Sequence, residues 1–187
     1  TDVAPLLFIA MGVFALAFII LLFVKIPEPN LGRAKSEGKD RYSAWSFRHL
    51  VLGVIAIFFY VGIEVGIPAE LNFYLTDDPL CGAAIGGAVA AIYWLLMMVG
   101  RAASAAISGK VSTRTQLTFV SLLAIILVIV AILLPSSIRI SMPGYSVADG
   151  FAMHGVPLSA LFLVLCGLCT SLMWGGIFNL SVEGLGK

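Results

Sequence analysis

The sequence predicts an all-α polytopic membrane protein with five transmembrane helices, and three observations carry that prediction. First, 60% of the 187 residues are hydrophobic and only 11% are charged. A soluble domain carries about 25% charged residues, so this chain has no means of covering a water-facing surface. Second, four stretches run without a charge for the length of a bilayer crossing: Val3–Val24 (22 residues), Pro79–Gly100 (22), Thr115–Ile138 (24) and Gly155–Val182 (28). A spanning helix needs about 20 such residues. A fifth stretch, Leu50–Thr76, is long enough but carries Glu64 and Glu70. Third, the runs lack the apolar–polar alternation of barrel strands, which leaves helices as the spanning element.

The first span is expected over Pro5–Val24. It ends at Lys25-Ile26-Pro27-Glu28-Pro29, where two prolines stop a helix. Residues 30–47 are polar and read as a solvated linker. The aromatic residues Tyr42, Trp45 and Phe47 suit a short surface helix at the membrane interface. The second span, Leu50–Leu75, closes on a tight turn at Thr76-Asp77-Asp78-Pro79. The third, Cys81–Ser108, carries two rows of small residues, Gly82, Gly86, Ala90 and Ala83, Gly87, Ala91. Such rows let a neighbouring helix come close. The fourth, Thr115–Leu134, is almost without polar side chains and is expected to face lipid. Pro135–Pro157 reads as a long loop rich in Gly, Pro and Ser, and the fifth span as Leu158–Leu180.

Threading five spans places the connections alternately on two sides. One side receives Lys25, Arg33, Lys35, Lys39, Arg41, Arg48, Lys110, Arg114 and Lys187. The other receives Arg139 with Asp2, Asp77, Asp78 and Asp149. Nine of the eleven basic residues thus share a side, which the positive-inside rule makes cytoplasmic. The start of the chain is then external and its end cytoplasmic, in a multi-pass protein of the cytoplasmic (inner) membrane. A first residue of Thr1 and an odd number of spans suit a fragment or processed chain better than a complete protein. No basic segment precedes the first span and no small-residue cleavage site follows it, so a signal peptide is not expected.

Two charges inside the spans are the main candidates for function. Glu64 lies 14 residues past Leu50, about 21 Å along the helix and close to midspan. A carboxylate there costs at least about 2.5 kcal/mol and usually faces a cavity or the bundle interior. Its bland role is that of a hydrogen-bonded glue between helices. Pro68 has no N–H to offer the Glu64 carbonyl, which leaves a backbone acceptor beside the side chain, as at the broken helices of transporters. Tyr60, Glu64 and Asn72 share roughly one face, spread over about 120°. Glu70 points elsewhere, nearer the outer end, and reads as a gate or interface residue. Arg101, nine residues before Lys110, is either a gating ion-pair partner or a side chain that snorkels to the interface. Pairing with Glu64 requires the two helices to face each other.

Trp94 and Trp174, with Tyr93, are candidates for stacking on a sugar ring or for ordinary packing. Asn179 is a polar residue in an apolar span, suited to binding a substrate or a neighbouring helix. Other patterns carry less. Cys166-Gly167-Leu168-Cys169 lies within an apolar span and reads as packing, because redox and zinc chemistry need accessible thiolates. Three cysteines define no disulfide framework. The Asn179-Leu180-Ser181 glycosylation match falls on the cytoplasmic side. There is no phosphate-binding loop, no dinucleotide fingerprint and no metalloprotease motif, so neither enzyme, cofactor, metal nor nucleic-acid partner is expected.

Several segments together resemble a known family. Leu52-Gly53-Val54-Ile55-Ala56-Ile57-Phe58-Phe59-Tyr60-Val61-Gly62-Ile63-Glu64-Val65-Gly66-Ile67 is similar to the seventh helix of the fucose permease and glucose/galactose transporter family, within the major facilitator superfamily. Val99-Gly100-Arg101 resembles its eighth helix and Val24-Lys25-Ile26-Pro27-Glu28 the end of its sixth. Ser171-Leu172-Met173-Trp174-Gly175-Gly176-Ile177-Phe178-Asn179-Leu180, with Glu183-Gly184-Leu185-Gly186-Lys187, resembles the end of its tenth. The resemblance covers the whole chain as helices six to ten of a twelve-helix fold. It divides the chain into residues 1–25 as the last helix of the first half, 26–48 as the central cytoplasmic loop, and 49–187 as four helices of the second half.

The resemblance implies uptake of a hexose-type sugar by proton symport and alternating access. The partners are the sugar, the proton, the bilayer and the remaining helices of the full-length protein. The alternative is a major facilitator exporter of a non-sugar small molecule. Expected substrate-binding residues are Tyr60, Glu64, Asn72, Trp94, Trp174 and Asn179, and expected gating residues Glu70 and Arg101. The family's proton-coupling acidic residues lie mainly in the half that is absent here.

Overall fold

The computed structural model describes residues 3–24, 44–107 and 110–183. All five expected spans form helices long and apolar enough to cross a membrane: α1 (Ala4–Phe23), α2 (Arg48–Thr76), α3 (Gly82–Ile107), α4 (Thr113–Leu133) and α5 (Leu158–Val182). The polar linker, including Tyr42, lies outside the described residues, apart from one 3-10 turn at Ala44–Ser46 that carries Trp45.

The chain divides into two units, Thr1–Arg41 and Tyr42–Lys187. In the first, α1 starts with Pro5 in its opening turn, where the missing N–H is no loss, and none of its residues is buried within that unit. In the second, α5 is the hub that packs on α2, α3 and α4. Its position follows from small residues. A Cβ at Gly167 would strike the Tyr93 backbone carbonyl on α3, and one at Gly100 of α3 would strike the Ser171 side chain on α5. Gly53 of α2 lies as close to Ser181. Backbones this near leave no room for larger side chains. Between α3 and α5 the Tyr93 and Thr170 hydroxyls share a hydrogen bond of 3.0 Å in the dry interior. Cys166 and Cys169 are free, buried packing residues.

Of the two small-residue rows on α3, Gly86 and Ala90 are buried, with a Cβ on Gly86 reaching 3.0 Å from the Asn72 carbonyl of α2. Ala83, Gly87 and Ala91 are exposed. α4 begins at Ser112, whose hydroxyl accepts the Thr115 N–H, and buries only Val120 and Ala131. α2 runs unbroken through Pro68, so the structure does not carry the helix break that the proline suggested.

The connection between α4 and α5 is more ordered than a loop. Arg139–Ser146 (β1) and Gly150–Pro157 (β2) form an antiparallel hairpin with Arg139 opposite Pro157 and Ser146 opposite Gly150. Gly150, the first residue of β2, takes φ +66°, a conformation open to glycine because it has no Cβ. Met142 and Val156 face inward and join Leu71, Leu75, Ile85, Val89, Ala160 and Val164 in one core. Arg139 fastens the hairpin base to the α2–α3 turn. Its Nη1 and Nη2 donate to the two Asp78 carboxylate oxygens at 3.2 and 2.9 Å, and Nη2 also donates to the Gly155 carbonyl at 2.9 Å. These hydrogen bonds hold the Asp78 carboxyl below its usual range. The clamp is therefore intact above the ordinary carboxylate pKa and releases only as pH falls through the lowered value.

Candidate functional site

α2 and α3 run antiparallel and meet at the level of the two charges inside the spans. Arg101 Nη2 donates to Glu64 Oε1 at 2.8 Å, so the pairing that the sequence left open is made. The two partners differ in surroundings: the Glu64 side chain is 15% exposed and that of Arg101 is 53% exposed. Glu64 is thus held in the bundle while Arg101 reaches from it into open space. Nη2 also approaches the Met97 sulfur at 3.8 Å.

That space is a cavity of about 550 Å³ between α3, α4 and α5, bordered by Arg101, Ser104, Gln116, Trp174 and Asn179. Its volume suits a small ligand, for which pockets run roughly 300–1,000 Å³. Asn179 Nδ2 donates to Thr113 Oγ1 at 3.2 Å, which fixes the amide at the cavity edge. Trp174 stacks on Phe178, one turn further along α5, with the rings near parallel at 5.6 Å. The cavity therefore offers one cation, hydroxyls, amides and a flat aromatic face. Such groups can exchange hydrogen bonds with a polar ligand and stack on its C–H face, and among the described residues no cluster of His, Cys, Asp or Glu could hold a metal ion.

The family model described as Major Facilitator Superfamily matches residues 4–187. The chain belongs to the major facilitator superfamily. With five helices among the described residues long and apolar enough to cross a membrane, it is a multi-pass membrane protein of a transporter superfamily, not an enzyme. It is similar to a protein named glucose/galactose transporter from Brucella abortus biovar 1 (strain 9-941), 32% identical over 185 residues, which are 98% of this chain and 40% of that protein. The same figures hold for the protein of that name in Brucella abortus strain 2308. A Helicobacter pylori J99 protein, given the same description provisionally, is 28% identical over 180 residues, 96% of this chain and 39% of the relative. The chain thus spans about two fifths of the length of the curated relatives it matches. No solved structure matches it.

Within this major facilitator chain the expected site residues fall in four places. Glu64 and Arg101 form the ion pair, and Arg101, Trp174 and Asn179 share the cavity. Asn72 and Trp94 line a separate groove of about 350 Å³ between α2 and α3, with Pro68, Gly87 and Ala91. Tyr60, one turn before Glu64 on α2, is buried against Val120, Cys169 and Met173 within interaction range of the Glu64–Arg101 pair, and its hydroxyl has no hydrogen-bond partner among the described residues. Glu70 is exposed and makes no ion pair among the described residues. Ser104, Thr113 and Gln116 belong to the cavity although the sequence reading passed over them. Small polar residues near the ends of spans carry no signal of their own, because such positions are ordinarily hydrated.

Proposed function

We propose that this chain forms part of a secondary active transporter that moves a hexose-type sugar across the cytoplasmic membrane by proton symport and alternating access. Residues 1–25 are the last helix of the first half, 26–48 the central cytoplasmic loop, and 49–187 four helices of the second half. The start is external and the end cytoplasmic. Basic residues support that orientation: Arg48, Lys110 and Arg114 lie at the end away from the hairpin, while Asp77, Asp78 and Asp149 lie at the hairpin end.

The observation that carries the reading is the cavity with Arg101, the partner of Glu64, at its wall and Trp174 and Asn179 along its side. A sugar presents hydroxyls to an amide and a C–H face to an indole ring, and this wall supplies both. The glucose/galactose names of the relatives support a hexose as the substrate. In this fold class the binding site lies near the midplane where repeats meet, so the helices beyond this chain complete the cavity. Arg101, held by Glu64 but half exposed, is placed to exchange its carboxylate partner for sugar hydroxyls and so acts as a gate.

Substitution of the cavity wall tests this. In the full-length parent protein, Trp174→Ala and Asn179→Ala are each expected to raise the KM for hexose uptake about tenfold, the effect of losing one interaction worth about 1.4 kcal/mol. Glu70→Gln, outside the cavity, leaves KM within twofold. Unchanged KM in both cavity variants would remove the cavity from the sugar pathway.

A further inference from the structure

We propose that Tyr60 is a positioning residue for Glu64, a second partner that takes up the carboxylate when Arg101 leaves it; this deepens the gating reading above and rests on it.

The starting point is a hydroxyl that packing does not explain. Tyr60 is 2% exposed, closed in by Val120 of α4 and by Cys169 and Met173 of α5. Its hydroxyl is buried and makes no hydrogen bond among the described residues. A buried hydroxyl left unpaired is unfavourable, and phenylalanine would fill the same space without it. Because α4 and α5 already cover the ring, the partner for the hydroxyl comes from the helices around it.

Glu64 is that partner by position. It stands four residues after Tyr60 on α2, so the two side chains are neighbours on the helix surface. Helical side chains lean toward the N-terminus, which brings the Glu64 carboxylate back over Tyr60. The hydroxyl lies close enough to interact with both Glu64 and Arg101. Arg101 engages one carboxylate oxygen, Oε1, through one nitrogen, Nη2. The terminal torsion of a glutamate is soft, so a small turn presents the carboxylate to the hydroxyl.

The exchange removes two unfavourable situations. With the ion pair closed, the carboxylate is paired and the hydroxyl is not. With Arg101 turned into the cavity it borders, Tyr60 donates to Glu64, and neither group is left unpaired inside the span. The hydroxyl thereby stabilises the open pair relative to the closed one, which makes it a latch for the gate rather than a sugar contact.

A double-mutant cycle on the detergent-solubilised full-length parent tests this. Tyr60→Phe alone is expected to leave the apparent Tm within about 1 °C of wild type, or to raise it, because it removes only an unpaired hydroxyl. In the Arg101→Ala background, where Tyr60 is the partner left to Glu64, the same substitution is expected to lower Tm by about 4 °C. Arg101→Met, which keeps an apolar stem, provides a second background for the same comparison. In Glu64→Ala there is no carboxylate to receive the hydroxyl, and Tyr60→Phe again leaves Tm unchanged. In transport, Tyr60→Phe is expected to lower the turnover of hexose uptake about fivefold at equal abundance, with KM within about twofold of wild type. An equal Tm change in the wild-type and Arg101-substituted backgrounds would overturn the proposal, and so would wild-type turnover in Tyr60→Phe. The expected Tm difference without uptake of D-glucose or D-galactose by wild type would uphold the exchange between Tyr60 and Arg101 at Glu64 and overturn the sugar reading.

Discussion

Replacing Arg101 by alanine in the full-length parent is expected to lower hexose uptake at least tenfold while the protein still reaches the membrane. The variant strands Glu64, whose side chain is only 15% exposed, as an unpaired carboxylate near midspan. On insertion scales a lone carboxylate at that depth costs at least about 2.5 kcal/mol. Glu64→Gln should be milder. It leaves Arg101, already 53% exposed, free to reach water, and solvent screening limits what the pair contributes from that side. The asymmetry is diagnostic. A purely structural pair would show its loss as reduced protein in the membrane. A gating pair shows it as reduced turnover at equal abundance. Initial uptake rates normalised to protein quantified by immunoblot separate the two. Exchanging the charges, with Arg at 64 and Glu at 101, restores part of the rate.

The largest effect on folding is expected at Gly167. Its missing side chain lets α5 lie directly on the Tyr93 carbonyl of α3, and a Cβ there meets backbone, which cannot rotate away. Gly167→Val must push α3 and α5 apart. That separation also breaks the Tyr93–Thr170 hydrogen bond and opens the packing at Gly100 against Ser171. Overpacking costs about 1–3 kcal/mol at an ordinary core site, and more where the obstacle is main chain. Thermal stability of the detergent-solubilised parent is the measurement. The apparent Tm is expected to fall by more than 5 °C, in line with about 2–4 °C per kcal/mol for a domain of 150–250 residues. Gly66→Ala, where a Cβ meets nothing within 4 Å, serves as the control and should leave Tm unchanged.

The spans were legible because the bilayer imposes one rule on every crossing segment: about 20 residues without charge. Helix boundaries at Leu158 and near Thr76 followed from Pro157 and from the Asp77-Asp78-Pro79 turn. The hairpin was not read, although Ile140 and Met142 alternate with Ser141 and Pro143. Eight-residue strands interrupted by Pro143 and Gly144 give a weak period-two signal beside 20-residue apolar runs. The proline is tolerated because a two-stranded sheet is all edge.

At the site, the individual residues were legible and their grouping was not. Glu64 and Arg101 stood out because charge inside a span is unfavourable, yet their contact depends on the relative rotation of α2 and α3. That rotation is set by Gly86 and Ala90 against α2 and by Gly167 against Tyr93, a matter of three-dimensional packing rather than spacing. Tyr60 packs with Val120 and Met173 while Asn72 lines the α2–α3 groove, because the two stand about 120° apart around α2 and different helices cover the two sides.

The central claim, that this major facilitator chain belongs to a proton-driven hexose importer, is tested most directly by uptake of labelled D-glucose and D-galactose into vesicles carrying the full-length parent. Uptake is measured with an imposed proton gradient and again with the gradient collapsed. The account predicts accumulation of at least one of the two hexoses above its external concentration with the gradient, and only equilibration without it. Absence of uptake of either hexose under both conditions would contradict the account and point to export of a non-sugar substrate.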